Sequence, residues 1–320
     1  VQAALLHWTD GGNQMKIGVI GLGTIAQKAY LPLYTTHFSE HEWHFSTRSQ
    51  EKLQELGKQY GLSPDQLHTS WKDLTEIVDA VCIHTPTHTH YEMVSYFMNH
   101  SIPVLIDKPL TEELDKTKEL MTLAAEKQVP LMIGFNRRFA PKVKELADVK
   151  DANMLIVQKN QSDATDFPVR YRIFDMMIHP IDTAVFLLND QHIDVVDSEV
   201  VEEGGQFKRA WVILKTKQMT ALVSINNESG AKRERLELQS ASGTYTVEDL
   251  TDLSIYTKEG RLTQTAGDWT ETLVKRGFEP MIQSFLEALK KDAAVPVSLD
   301  SALISHFICE SICFKYEKEQ

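Results

Sequence analysis

The sequence is short of the features that mark several large classes of protein. It has only three cysteines in 320 residues, Cys82, Cys309 and Cys313. An odd count at that spacing suits neither a disulfide framework nor a zinc site, and fits a reducing cytoplasm. Cys309 and Cys313 sit four apart in an apolar helical stretch, as small core residues do. No apolar run nears the roughly 20 residues that span a membrane. Positive charge is scarce as well: 33 Lys and Arg stand against 45 Asp and Glu, a net charge of −12. Such a chain repels phosphate backbones, which argues against nucleic acid as a partner but leaves room for a local basic pocket. There is no internal repeat and no low-complexity tract. The first 14 residues, VQAALLHWTDGGNQ, lack the basic and long apolar segments of a secretory signal. Residues 1–14 are expected to be an extension without fold. Gly11-Gly12-Asn13-Gln14 back-translates to a purine-rich ribosome-binding sequence ahead of Met15.

What is present is a rhythm. From Met15, short apolar runs at 16–20, 42–47, 80–84, 103–107 and 131–135 alternate with amphipathic runs at 24–38, 50–60, 87–100 and 112–128. Strands alternating with helices predict βαβ units and a parallel sheet covered on both faces. Past residue 150 the pattern changes. A strand at 152–160 and a helix at 174–188 are followed by several β-rich runs with no helix between them, then helices at 279–290 and 301–318. That order predicts an α+β unit with a mainly antiparallel sheet. The expected fold class is α/β, with a doubly wound, Rossmann-type parallel domain over 15–137 and an α+β substrate and oligomerisation domain over 138–320.

The first strand runs into Gly21-x-Gly23-x-x-Ala26 and a helix. Gly21 permits the tight turn, Gly23 lets backbone approach a diphosphate, and Ala26 allows close helix–strand packing. The helix start at Thr24 and Ile25 offers unpaired amides to the anion. The run Ser46-Thr47-Arg48-Ser49 ends the second strand, where an acid would hold the ribose 2′-hydroxyl of NAD. No acid is there, and an arginine among hydroxyls suits the 2′-phosphate of NADP. NADP is the expected cofactor, with NAD possible.

Asp107-Lys108-Pro109 ends a strand at the edge where ligands of doubly wound sheets bind. A lysine there donates a hydrogen bond or a proton to a substrate oxygen, unless it is a plain turn lysine. Pro109 restricts its backbone. Downstream, Asp175 and His179 lie four apart on one face of a predicted helix. Hydride transfer involving an alcohol needs an acid/base near neutral pH, and histidine supplies one.

These pieces together resemble the glucose–fructose oxidoreductase/inositol dehydrogenase/MocA (Gfo/Idh/MocA) family. The matching segments are GLGTIA, TPTHTH at 85–90, VLIDKPL, GFNRRF at 134–139, FDMMIHPID at 174–182 and GFEPMIQSFLEAL. The resemblance runs from Met15 to the C-terminus. It implies an NAD(P)-dependent oxidoreductase acting on a sugar, polyol or related hydroxyl/carbonyl compound. It also implies an open-faced second sheet that packs against another subunit in a homodimer or homotetramer. The family's Glu-Lys-Pro reads Asp107-Lys108-Pro109 here, a shortening that keeps the charge. Carried over, His179 is the acid/base, Lys108 polarises the oxygen or relays the proton, and Asp175 holds substrate or orients His179. Thr85, Pro86 and His90 lie on the loop that runs along the dinucleotide, together with Asp107.

Other candidates are weighed beside these. Asn136 and Arg137 face either the nicotinamide and substrate or solvent. Asp182 reads as a structural ion pair. His88 and His90 lack a third ligand, so no metal is expected. Arg170 and Arg172, in the run 163–172, either meet a substrate anion or are solvated. Two alternatives keep the fold and change the role: a dinucleotide-binding regulator without turnover, or a reductase of dihydrodiols or biliverdin-like molecules. The intact lysine and Asp-x-x-x-His set favours an enzyme over the regulator.

Overall fold

The structure, a computed structural model, describes residues 14–162 and 167–320. The expected N-terminal extension lies outside the described residues except for Gln14, as do residues 163–166 of the run 163–172. The first sheet has six strands: β1 (Lys16–Ile20), β2 (Glu42–Ser46), β3 (Leu67–His68), β4 (Ala80–Ile83), β5 (Val104–Asp107) and β6 (Leu131–Gly134). They run in the order β3-β2-β1-β4-β5-β6, all parallel, the doubly wound order whose direction reverses between β1 and β4. β4 and β6 are buried along their whole length. Helices cover both faces, so these strands are continuous apolar runs rather than alternating ones. β3 was not expected, because two residues are too few to show a period.

The second sheet has eight strands. They are β7 (Ala152–Asn160), β8 (Asp194–Glu203), β9 (Gln206–Lys215), β10 (Thr220–Asn226), β11 (Arg233–Ser240), β12 (Thr244–Glu248), β13 (Asp252–Thr257) and β14 (Gly260–Gln264). The order is β14-β13-β12-β11-β7-β10-β9-β8, and only β7 and β10 pair in parallel. Burial alternates along β7 and β10 because one face packs against the helix Ile178–Leu188. That helix follows a wide π-type turn at Ile173–Met177, so the segment expected as one regular helix changes pitch between Asp175 and His179. Similar wide turns, Ala26–Tyr30 and Leu33–His37, occur in the helix after the glycine loop. No described helix is long and apolar enough to cross a membrane.

Two glycines permit close backbone approach beside the site, one within the first half and one between the halves. Gly21 has φ +90°, and a Cβ there would lie 2.8 Å from the backbone of His84 and Thr85. Gly277 has φ +81°, and its Cβ would lie 2.1 Å from the Asn136 carbonyl oxygen and 2.5 Å from the Ala140 nitrogen. Only glycine allows the 276–278 corner to press against the 136–140 turn.

Candidate active site

A cavity of about 750 Å³ opens at the carboxyl ends of β4, β5 and β6. The first half of the chain lends it Ile25, Thr85, Pro86, Asp107, Lys108 and Asn136. Asp175 and His179 face them from the second half. Gly21, Gly23, Thr24, Ala26, Ser46, Thr47 and Arg48 lie outside this cavity, on the loop after β1 and at the end of β2. Nothing stands within 4 Å of a Cβ built on Gly23, which leaves a cradle beside the helix start. The first turn closes with Gln27 N donating to Gly23 O at 3.0 Å. The amides of Thr24, Ile25 and Ala26 therefore have no carbonyl one turn back within the helix, and fit a diphosphate.

At the end of β2, Arg48 is exposed and makes no ion pair among the described residues. Ser49 is committed to the helix Gln50–Tyr60, capping it through Lys52 N. His90 is a different case from the one expected. It is buried, with Nδ1 2.9 Å from Pro109 O and Nε2 2.9 Å from Thr85 O. It braces two cavity loops from behind, and its position does not reach the cavity wall.

Asp107 is held by Tyr30, whose hydroxyl donates to Oδ1 at 2.5 Å, and by His84, whose Nδ1 lies 3.2 Å from Oδ2. Burial alone would raise its pKa, but His84 and Tyr30 outweigh burial and keep the carboxyl below its ordinary range. Tyr30 stacks on His84 at 3.8 Å and meets Phe278 edge-on at 5.4 Å, so an aromatic seam ties the two halves together beside the lysine. Tyr30 and His84 carry no motif, and Phe278, though it lies in the GFEPMIQSFLEAL segment, was not expected beside them.

Lys108 Nζ donates to Asp175 Oδ1 at 2.9 Å and to the Asp175 carbonyl oxygen at 2.5 Å. Asp175, expected to hold substrate or orient His179, is instead bonded to Lys108, and the partner of His179 is Arg137. Arg137 Nη1 lies 2.7 Å from His179 Nδ1. A guanidinium only donates, so Nδ1 accepts, and the neutral ring carries its proton on Nε2. Burial lowers the His179 pKa well below 6.5, and Arg137, Lys108, Lys159 and Arg276 lower it further.

Arg137 is itself anchored. Its Nε donates to Glu234 Oε1, and Nη2 to Oε2 at 3.0 Å. Glu234 lies opposite Lys159 in the antiparallel pairing of β11 and β7, and Lys159 Nζ donates to Oε2 at 3.1 Å. One buried acid thus serves two buried cations. Burial and Arg137 push Lys159 down to about 8, against the pull of Glu234. Burial alone would raise Glu234, but Arg137 and Lys159 outweigh it and hold the carboxyl far below its ordinary value. Lys159, Glu234 and Arg276 were not expected at the site. Lys159 and Glu234 break the apolar alternation of buried strand positions, the one signal that could have found them.

Other candidates are used structurally. Asp182 is buried, accepting from Arg138 Nε at 2.8 Å and Ser305 Oγ at 2.9 Å. Arg170 is paired with Glu310 at 2.9 Å and Glu317 at 3.2 Å on the C-terminal helix, rather than turned to the cavity. Arg172 donates to Asn227 at 3.0 Å. Among the described residues no group of three or more His, Cys, Asp or Glu is placed to hold a metal ion.

Residues 15–135 match the Gfo/Idh/MocA model, described as an oxidoreductase family with an NAD-binding Rossmann fold. Over that segment the chain is similar to the Gfo/Idh/MocA family. The similarity extends beyond the matched segment. The YceM protein of Salmonella typhimurium is 28% identical over 303 residues, covering 93% of this chain and 97% of its own length. The inositol 2-dehydrogenase of Rhizobium meliloti is 26% identical over 246 residues, 71% of this chain and 74% of its own. A Gfo/Idh/MocA family oxidoreductase from Vibrio cholerae superposes with a TM-score of 0.86 at 27% identity, covering 95% of this chain and 99% of that one. These similarities support an oxidoreductase of dehydrogenase type, built on a parallel Rossmann sheet and a mainly antiparallel second sheet.

Proposed function

We propose that this protein moves a hydride between a nicotinamide dinucleotide, NADP in preference to NAD, and a carbinol or carbonyl carbon of a sugar or polyol-like substrate. The observation that carries the reading is the convergence of the Lys108–Asp175 pair and His179 on one cavity beside the glycine-loop helix. Gly21, Gly23 and the amides of Thr24, Ile25 and Ala26 would hold the diphosphate. Ser46, Thr47 and Arg48 would hold the adenosine ribose and its 2′-phosphate, since no acid stands there to repel it. When bound, the dinucleotide supplies a ring that gives or takes the hydride.

The rest is the work of the chain. His179 Nε2–H and the Lys108 ammonium are two donors for one substrate oxygen, and they stabilise the negative charge that develops on it. Because Arg137 occupies Nδ1, a neutral His179 has no lone pair to offer at Nε2. The proton therefore moves at Lys108 Nζ: given to the oxygen in reduction, taken from the hydroxyl in oxidation. Asp175 steadies the lysine in both forms. This revises the expectation that His179 is the acid/base, and makes it a fixed hydrogen-bond donor, with Arg137 as a positioning residue.

Melting curves with saturating NADPH, NADH and buffer test the cofactor, and a sugar and polyol turnover panel follows with the better one. Ligand at about 100 times its Kd adds roughly 2.7 kcal/mol of stability. Both cofactors are expected to raise the Tm, NADPH more. A larger shift with NADH overturns the preference, and no shift with either overturns the reading.

The pH profile follows from His179. Protonating Nδ1 would set a cation against Arg137, so the folded protein keeps the ring neutral at pH values where a free histidine is charged. The acid limb of kcat/KM is expected below pH 6.5, the ordinary histidine value. A limb at or above 6.5 would mean that His179 is not held this way.

A further inference from the structure

This inference rests on the dehydrogenase reading above and concerns the kind of substrate that site accepts. The whole chain is strongly acidic, with a net charge of −12, yet the wall around His179 is cationic. Arg137, Lys108, Lys159 and Arg276 all act on that ring. Their countercharges are unequal. Lys108 has Asp175, and Arg137 and Lys159 share Glu234. Arg276 has no ion pair, and its guanidinium has no hydrogen-bond partner among the described residues. The next acid, Asp249, is engaged by Arg233 at 3.3 Å and by the Glu234 amide at 2.8 Å. Of the remaining acids of the cavity, Asp107 is held by Tyr30 and His84, and Glu112, whose carbonyl accepts from Arg170, keeps its carboxyl on the Asp175 side of the cavity.

Arg276 is also held in place. Gly277 presses its backbone onto the 136–140 turn, and Asn136 Nδ2 donates to the Arg276 carbonyl oxygen at 2.7 Å. Arg276 lines the cavity, half-buried, and Lys159 lines it as well. A partly desolvated guanidinium without a counter-ion is costly, and its planar fork matches a carboxylate or phosphate through two parallel hydrogen bonds. We propose that the substrate carries an anionic group, a carboxylate or a phosphate, seated on Arg276 while its reacting carbon lies at Lys108 and His179. The substrate class is then a sugar acid or a phosphorylated sugar rather than a neutral polyol.

The test is equilibrium binding to the NADH-loaded protein, which does not depend on turnover. The probes are D-glucuronate, D-glucose 6-phosphate and neutral D-glucose, and the first two distinguish carboxylate from phosphate. At least one anionic probe is expected to bind about 10- to 100-fold tighter than glucose, the span of a charge-assisted pair. Arg276→Gln should reduce that preference to within about threefold, with NADH affinity unchanged, and Arg276→Lys should recover part of it. Equal binding of all three probes by the wild type would overturn the proposal. So would a preference that survives in Arg276→Gln, or a loss of NADH affinity in that variant, which would put the arginine on the cofactor. Failure of the dehydrogenase reading shows separately, as no turnover of any probe with either dinucleotide.

Discussion

Lys108→Ala is expected to lower turnover by about 10²- to 10⁴-fold, the usual worth of a positioned proton donor, while NADPH binding stays within about threefold. The size follows from the geometry. Lys108 Nζ is held by both the side chain and the carbonyl of Asp175, so its position is fixed by the second half of the chain although its backbone belongs to the first. Alanine removes the proton donor and one of the two groups that stabilise charge on the oxygen, and leaves Asp175 with only Arg172, at 4.0 Å. The glycine loop is untouched, so the melting shift with NADPH should persist. Single-turnover rates in both directions and the NADPH-induced shift measure the two halves of the expectation. Lys108→Ala retaining more than a tenth of wild-type turnover would remove the lysine from the chemistry. Lys108→Arg is the sharper companion. It keeps the charge and the pairing with Asp175 but does not give up a proton, so its turnover should fall nearly as far.

Glu234→Gln is expected to destabilise the protein by about 3–5 kcal/mol at pH 7, as breaking a buried ion pair does. The carboxylate answers Arg137 and Lys159, whose side chains are only 6% exposed, so both cations lose their countercharge together. Urea unfolding at pH 7 reads the loss. The pH dependence has a definite sign. The folded-state pKa of Glu234 is depressed below its ordinary value of 4.5, so its contribution is complete above about 4.5 and fades as the pH falls below that. The difference between wild type and variant should shrink in acid. Adding Lys159→Met in the variant background should restore part of the stability, because an apolar group removes a cation left without an acid. A cost under about 1 kcal/mol would mean that the cluster is solvated rather than buried. The variant should also release Arg137, and with it the fixed tautomer of His179, which gives the same substitution an acid-limb shift that a purely structural residue would not produce.

Local patterns are legible in the sequence where one segment carries its own reason. The glycine loop follows directly from a strand and opens a helix, and the parallel first sheet follows from short apolar runs at helix-length spacing. The mainly antiparallel second sheet follows from strands separated only by turns. Lys108, Asp175 and His179 were legible because residue type, motif and strand or helix position coincide within a few residues. The wide turn at Ile173–Met177 was not legible, since a π-type turn leaves the same apolar spacing as an α-helix over so short a stretch.

The sequence by itself determined the two-sheet order, the place of the glycine loop and the residue types that meet at the cavity. Those are properties of contiguous segments and of periodicity. Only the tertiary structure decided what each charged side chain answers to. It set Asp175 on Lys108 across 67 positions, Arg137 on His179 across 42 and Arg137 on Glu234 across 97, and it left Arg276 without an ion pair among the described residues. A charge in a sequence has a sign but no partner. The partner is fixed by strand register and by the approach of the Gly277 corner to the 136–140 turn, and these exist only once both sheets have packed.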